Sequence, residues 1–187
     1  PDMIIIKNLD DTKEWNVVAP DIISTTKRLV LDSEAAATTG SGLVSPYINS
    51  TIFKLDDGTT RTNDGSSDYI AYCFASIEGY SKVGSYVGNL NADGPFAYCG
   101  FRPAYIILKE TDGTGDWPIN DSKRIGYNVA NYDLYAQANN ADEDNSRLDI
   151  LSNGFKLRST FGNTNANGQT MIFLAFAESP FKYSNAR

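Results

Sequence analysis

Pro1-Asp2-Met3-Ile4-Ile5-Ile6-Lys7 decides the reading of this chain, because it returns 102 residues later as Pro103-Ala104-Tyr105-Ile106-Ile107-Leu108-Lys109. At the same offset Asp10, Thr12 and Trp15 meet Asp112, Thr114 and Trp117. Phe53-Lys54-Leu55 meets Phe155-Lys156-Leu157, and Phe74-Ala75 meets Phe176-Ala177. Four blocks in one order at one offset are the mark of repeated architecture. The sequence therefore predicts two copies of one supersecondary unit, residues 1–83 and 103–187, the first arriving truncated. Residues 84–102 read as bridging strands around a Gly-rich turn, too structured for a flexible linker. One continuous domain over 1–187 is expected; two smaller sandwiches in tandem are the rival.

Outward from the repeated blocks, short apolar runs alternate with turn chemistry. Strands are predicted near Met3–Lys7, Trp15–Val18, Lys27–Leu31, Thr51–Leu55 and Asp68–Ala75, the last a candidate for the middle of a sheet. The second copy repeats them near Ala104–Lys109, Trp117–Asn120, Asp133–Ala136, Gly154–Arg158 and Thr170–Ala177. Asp56-Asp57-Gly58 and Asn63-Asp64-Gly65 are hairpin and turn signals, and 35–45 reads as loop. No segment carries a helical apolar stripe. Aromatics make up 12% of the chain, a bias that favours strands. The fold class is all-β, an antiparallel β-sandwich of jelly-roll or concanavalin type built from two internal repeats.

Composition closes several functional routes. The net charge is −7 and the basic residues are scattered, so a phosphate-binding surface is not expected: no nucleic acid, and no attraction to anionic membranes. No apolar run is long enough to span a bilayer. With no histidine at all, Ser-His-Asp and Cys-His catalysis are excluded. Cys73 and Cys99 cannot make a four-ligand zinc site; a pair of buried free thiols is expected, with a disulfide as the alternative. The chain begins at Pro1 and not Met, so a longer or processed polypeptide is expected.

A further set of motifs carries a resemblance. It comprises Gly84-Ser85-Tyr86-Val87-Gly88-Asn89, Asp93-Gly94-Pro95-Phe96 and Gly100-Phe101-Arg102-Pro103-Ala104. To these add Gly115-Asp116-Trp117, Asp121-Ser122-Lys123-Arg124, Ser152-Asn153-Gly154-Phe155-Lys156-Leu157-Arg158 and Ala175-Phe176-Ala177-Glu178-Ser179-Pro180-Phe181-Lys182-Tyr183. Together they resemble an uncharacterised repeat domain of tailed bacteriophages, frequent in marine and cyanobacterial phages, found in tail-fibre-like and other virion proteins. The resemblance implies a lectin-like, concanavalin/laminin-G-type sandwich located in the virion, with other virion proteins and copies of itself as partners, as a trimer. It brings no catalytic residues and no cofactor.

Trp15 and Trp117 could be sugar platforms, but a position kept in both copies reads as a core anchor. Tyr132 and Tyr135 are the better binding candidates, with Asn139 and Asn140 of the amide-rich run beside them. They lie where the copies diverge, and Tyr with Asn offers a flat face and planar amide hydrogen bonds for carbohydrate. Asp142-Glu143-Asp144 and the turn Asp64–Asp68 carry calcium-type oxygens, but neither has EF-hand spacing, and both read as acidic turns. No metal ligands and no catalytic pair are nominated. The expected function is a non-enzymatic virion module that attaches to host surface glycan or acts as a spacer; the alternatives are a glycan-cleaving enzyme on the same fold and a pure scaffold.

Overall fold

A computed structural model describes residues 1–49, 51–56, 58–124, 128 and 130–180, with the side chains of 44–48, 130, 131 and 146 left aside. The motif residues Phe181-Lys182-Tyr183 lie outside the described residues. The chain is all-β and antiparallel. Its strands are β1 (Met3–Asn8), β2 (Asn16–Val18), β3 (Lys27–Val30), β4 (Thr38–Thr39), β5 (Leu43–Ile48), β6 (Phe53–Leu55), β7 (Tyr69–Phe74), β8 (Ser81–Val87), β9 (Phe96–Tyr98), β10 (Pro103–Glu110), β11 (Pro118–Asp121), β12 (Ala130–Tyr135), β13 (Glu143–Leu151), β14 (Gly154–Leu157) and β15 (Thr170–Ala177). Two single helical turns interrupt them, α1 (Pro20–Ile23) and α2 (Gly162–Asn165), the first with a proline at its start. The 35–45 segment read as loop holds β4 and the start of β5.

The strands form a five-stranded sheet ordered β4-β3-β2-β1-β7, an eight-stranded sheet ordered β8-β15-β10-β11-β12-β13-β14-β9, and the hairpin β5-β6. Pairing in the two larger sheets coincides under the offset of 102. Ile4 lies opposite Val18 and Ile106 opposite Asn120; Ile6 lies opposite Ala71 and Leu108 opposite Phe173.

Three apolar layers follow from the alternation of side chains along each strand. Met3, Val17 and Leu29 of the five-stranded sheet pack against Val83, Ile107, Trp117, Ile172 and Leu174 of the eight-stranded sheet, the core between the sheets. The opposite face of β1 and β2, with Ile4, Ile6 and Val18, is covered by Leu43, Phe53 and Leu55 of the β5-β6 hairpin. The opposite face of β10 and β15, with Ile106, Leu108, Met171 and Phe173, meets Ala97, Leu148, Ile150, Phe155 and Leu157. Tyr86 of β8 and Phe155 of β14 touch edge-to-face with ring centroids 5.9 Å apart, although five strands lie between β8 and β14 in the order of the sheet. The eight-stranded sheet therefore curls until its ends meet. Just after β8, Gly88 lies so close to the turn before β15 that a Cβ there would collide with the backbone of Asn165 and Ala166.

Three expectations need correction. Trp117 is 2% exposed, and its indole Nε1 donates to Val30 O at 2.9 Å, tying the two sheets together. Trp15 is only half-buried; it lies before β2 and stacks on Tyr72 at a centroid distance of 6.4 Å. The positions match in sequence but not in cover: Trp117 belongs to the core between the sheets, and Trp15 packs on Tyr72 of the edge strand. β7, read as a central strand, is the end of its sheet, with Ala71, Tyr72 and Cys73 exposed. That edge position is also why Cys73 is not buried. Both cysteines are free, and Cys99 sits in the core, where burial pushes its thiol up to about 12.

Trp117→Ala removes a fully enclosed indole and should cost about 3–5 kcal/mol. Trp15→Ala should cost clearly less, since its ring is only partly enclosed. Urea unfolding of both variants checks this, and equal losses would contradict the difference in cover.

Candidate functional site

β12 and β13 pair antiparallel, with Asp133 opposite Glu143. The odd-numbered side chains of both strands share one face, as the strand period of two requires. Tyr135, Glu143, Asn145 and Arg147 thus stand together. With Glu34, Asp116, Ala138, Asn140 and Phe161 they line a depression of about 520 Å3.

Its floor is a buried ion pair. Arg147 Nε donates to Asp133 Oδ2 at 2.7 Å, the side chains 7% and 0% exposed. The Arg147 guanidinium also lies over the Phe161 ring, 3.4 Å from its centroid. Asp133 accepts further bonds from Asn120 Nδ2 at 2.5 Å and Asn145 Nδ2 at 3.2 Å. Burial nevertheless raises the Asp133 carboxyl above its ordinary value, against the pull of Arg147 and these amides. Burial likewise raises the Tyr135 phenol. Tyr135 OH donates to Glu143 Oε2 at 3.4 Å, and Asn145 Nδ2 reaches the same carboxylate at 3.3 Å. Across the hollow, Asp116 Oδ1 accepts from Gln137 Nε2 at 2.5 Å and Asp116 Oδ2 from Asn163 Nδ2.

The first half of the chain supplies one wall. Glu34 O accepts from Gly115 N–H at 2.9 Å and from Lys109 Nζ at 3.1 Å. Lys109 is fully buried, and that burial pulls its pKa down to about 8 in spite of the attraction of Glu110, Asp116 and Glu34. Burial lifts the neighbouring Glu110 above its ordinary value.

Of the sequence-nominated residues, Tyr135 and Asn140 line the depression. Tyr132 points to the opposite face of β12 from Tyr135, three residues being an odd step along a strand, and Asn139 stands exposed beside the hollow without lining it. The sequence reading missed Glu34, Asp116, Glu143, Asn145, Arg147 and Phe161. The alternation of Asp133, Tyr135 and of Glu143, Asn145, Arg147 was the available signal. In the Asp64 turn the carboxylate accepts from Ser66 N, Ser67 N and Ser67 Oγ, and these bonds hold it well below the usual carboxylate range. Among the described residues no cluster of three or more acidic or thiol side chains is placed to hold a metal ion.

A second hollow of about 430 Å3 lies between the sheets, lined by apolar residues including Met3, Ile5, Phe74, Tyr105, Ile107 and Phe176. It offers almost no hydrogen-bond partners, in contrast to the first site.

The chain belongs to the family described as Domain of unknown function (DUF7483), whose model matches residues 1–180. No curated protein matches it, and no solved structure does.

Asp133→Ala leaves the Arg147 charge buried without its anion and should cost about 3–5 kcal/mol in chemical denaturation. Lys109 has a lowered folded pKa. Between about 8 and its ordinary 10.5 the native side chain is neutral while the unfolded one still holds its proton. The unfolded state then binds more protons, and the contribution of Lys109 to stability rises with pH across that window. Stability of the parent relative to Lys109→Met should climb accordingly; a flat difference between pH 8 and 10.5 would contradict the assignment.

Proposed function

We propose that this DUF7483 domain is a non-enzymatic, lectin-like module of a bacteriophage tail fibre or surface appendage, which attaches to host surface glycan through the depression on β12 and β13. The observation that carries this reading is the company of Tyr135. An aromatic ring stands beside Asn140, Asn145, Glu143 and Asp116 on a sheet whose floor is locked by a buried ion pair. A sugar ring needs a flat apolar surface for its C–H face and planar acceptors and donors for its hydroxyls. Side chains already fixed by their own hydrogen bonds lose little freedom when a ligand arrives.

Two of the hollow's carboxylates are engaged in structure. Asp116 holds the amides of Gln137 and Asn163, and Glu143 holds Tyr135 and Asn145. That arrangement favours recognition over acid–base cleavage of a glycosidic bond. In the virion the module works as part of a trimer, alongside other virion proteins. One shallow sugar contact is weak, and several copies on one stalk raise apparent affinity through effective concentration. The resemblance to phage virion domains supports this setting, as does the acidic, phosphate-averse surface.

A glycan array followed by titration calorimetry on the whole chain tests the reading. Tyr135→Ala and Asn140→Ala should each weaken the bound glycan about tenfold, roughly 1.4 kcal/mol. Tyr132→Ala, on the other face of the strand, should not. Equal affinity in all three variants would overturn the site. Steady release of reducing sugar, abolished by one Asp or Glu substitution, would overturn the non-enzymatic assignment.

A further inference from the structure

Among the described residues β7 pairs on one side only, with β1. Its register counterpart β15 pairs on both sides, with β10 as β7 pairs with β1, and with β8 beyond. Along that second ladder Met171 lies opposite Tyr86, Leu174 opposite Val83 and Phe176 opposite Ser81. Among the described residues the fold thus contains one covered and one uncovered version of the same sheet edge.

The uncovered version lacks every ordinary defence. Soluble proteins guard exposed edges by shortness, charge, proline or a bulge. Tyr69-Ile70-Ala71-Tyr72-Cys73-Phe74 is six residues long, with no charge, no proline and no glycine, and its ladder with β1 is regular from end to end. Such a segment is the type that seeks a further strand. The other sheet ends are guarded. β4 has two residues, and β6 and β9 three each. β5 contains Pro46. β8 carries Lys82, and its Val83 backbone is occupied by Ser76: Val83 N–H donates to Ser76 Oγ at 3.1 Å and Ser76 Oγ to Val83 O at 3.3 Å.

We propose that β7 is an acceptor edge for an antiparallel strand of the β8 pattern, donated by a neighbouring polypeptide, which docks on Tyr69–Phe74 as β8 docks on Met171–Phe176. Backbone hydrogen bonds supply the affinity of such strand addition, and alternate side chains supply its selectivity. The donor's valine stands opposite Tyr72, as Val83 stands opposite Leu174, and shields a ring that is 44% exposed. The position opposite Ala71 tolerates more than glycine. Gly84 is required at β15 because the Phe173 ring fills the space of its Cβ, and Ala71 presents no ring.

The test is hydrogen exchange on the whole chain with and without a synthetic peptide of residues 79–89, read residue by residue. The amides of β7 should slow on adding peptide while those of β15 stay as they were. The same peptide N-methylated at alternate residues should leave β7 unchanged, since it cannot complete the ladder. Three outcomes overturn the proposal. One is no slowing at β7. Another is equal slowing by the methylated peptide, which marks mere apolar adhesion. The third is protection of β7 that rises with protein concentration without peptide, together with a doubled mass in sedimentation, which assigns the edge to a second copy of this chain.

Discussion

The contact between the two sheets is the constraint on which the rest depends. β1 and β10 are apolar on both faces, and a strand of that kind must be covered twice. Ile5 and Ile107 look into the shared core, while Ile4 and Ile6, or Ile106 and Leu108, look away from it. Each sheet therefore needs its counterpart on one side and an additional cover on the other. The β5-β6 hairpin provides that cover for one sheet, and the curling of the eight-stranded sheet provides it for the other. Trp117 fixes the contact laterally, because its indole N–H is satisfied only by Val30 of the opposite sheet. A buried donor without that partner would carry a real desolvation penalty.

The polar depression is a consequence of this packing. Docking the sheets brings Glu34 from the first half against Lys109 and Gly115 from the second. It also places β12 and β13 beyond the apolar core, where the alternation that buries Leu148 and Ile150 turns Asn145 and Arg147 the other way. Arg147 and Asp133 stay charged partners there because each satisfies the other, with Phe161 and Asn120 closing the shell. Removing both and replacing them with apolar residues would be the cheaper way to stability alone. Their presence under a ring of amides and carboxylates holds that surface still.

The same logic distinguishes the edges. Where a strand of this unit is continued, as β15 is by β8, its sequence is free to be fully apolar. β7 has the same freedom written into it without a continuation among the described residues, so the apolar edge and the open edge coincide. Cys73 and Tyr72 are exposed by that coincidence and by nothing in their own composition.

The amino-acid sequence by itself determined most of the strands, though not β4, β5 or β13, which lie in stretches read as loop, and it determined the all-β class, the antiparallel sandwich and the offset at which pairing recurs. These depend on local alternation, turn residues and residue order, all visible along one chain. It also brought Tyr135 and Asn140 to notice, through their place in a stretch where the two halves differ. Tertiary structure alone decided that Trp117 is enclosed while Trp15 is half open, that β7 ends a sheet, and that Lys109, Arg147 and Asp133 are buried. Cover, edge position and ion pairing are properties of what lies across a gap from a residue. Two residues with the same neighbours in sequence can face a packed sheet in one case and water in the other, and only the docking of distant strands chooses between them.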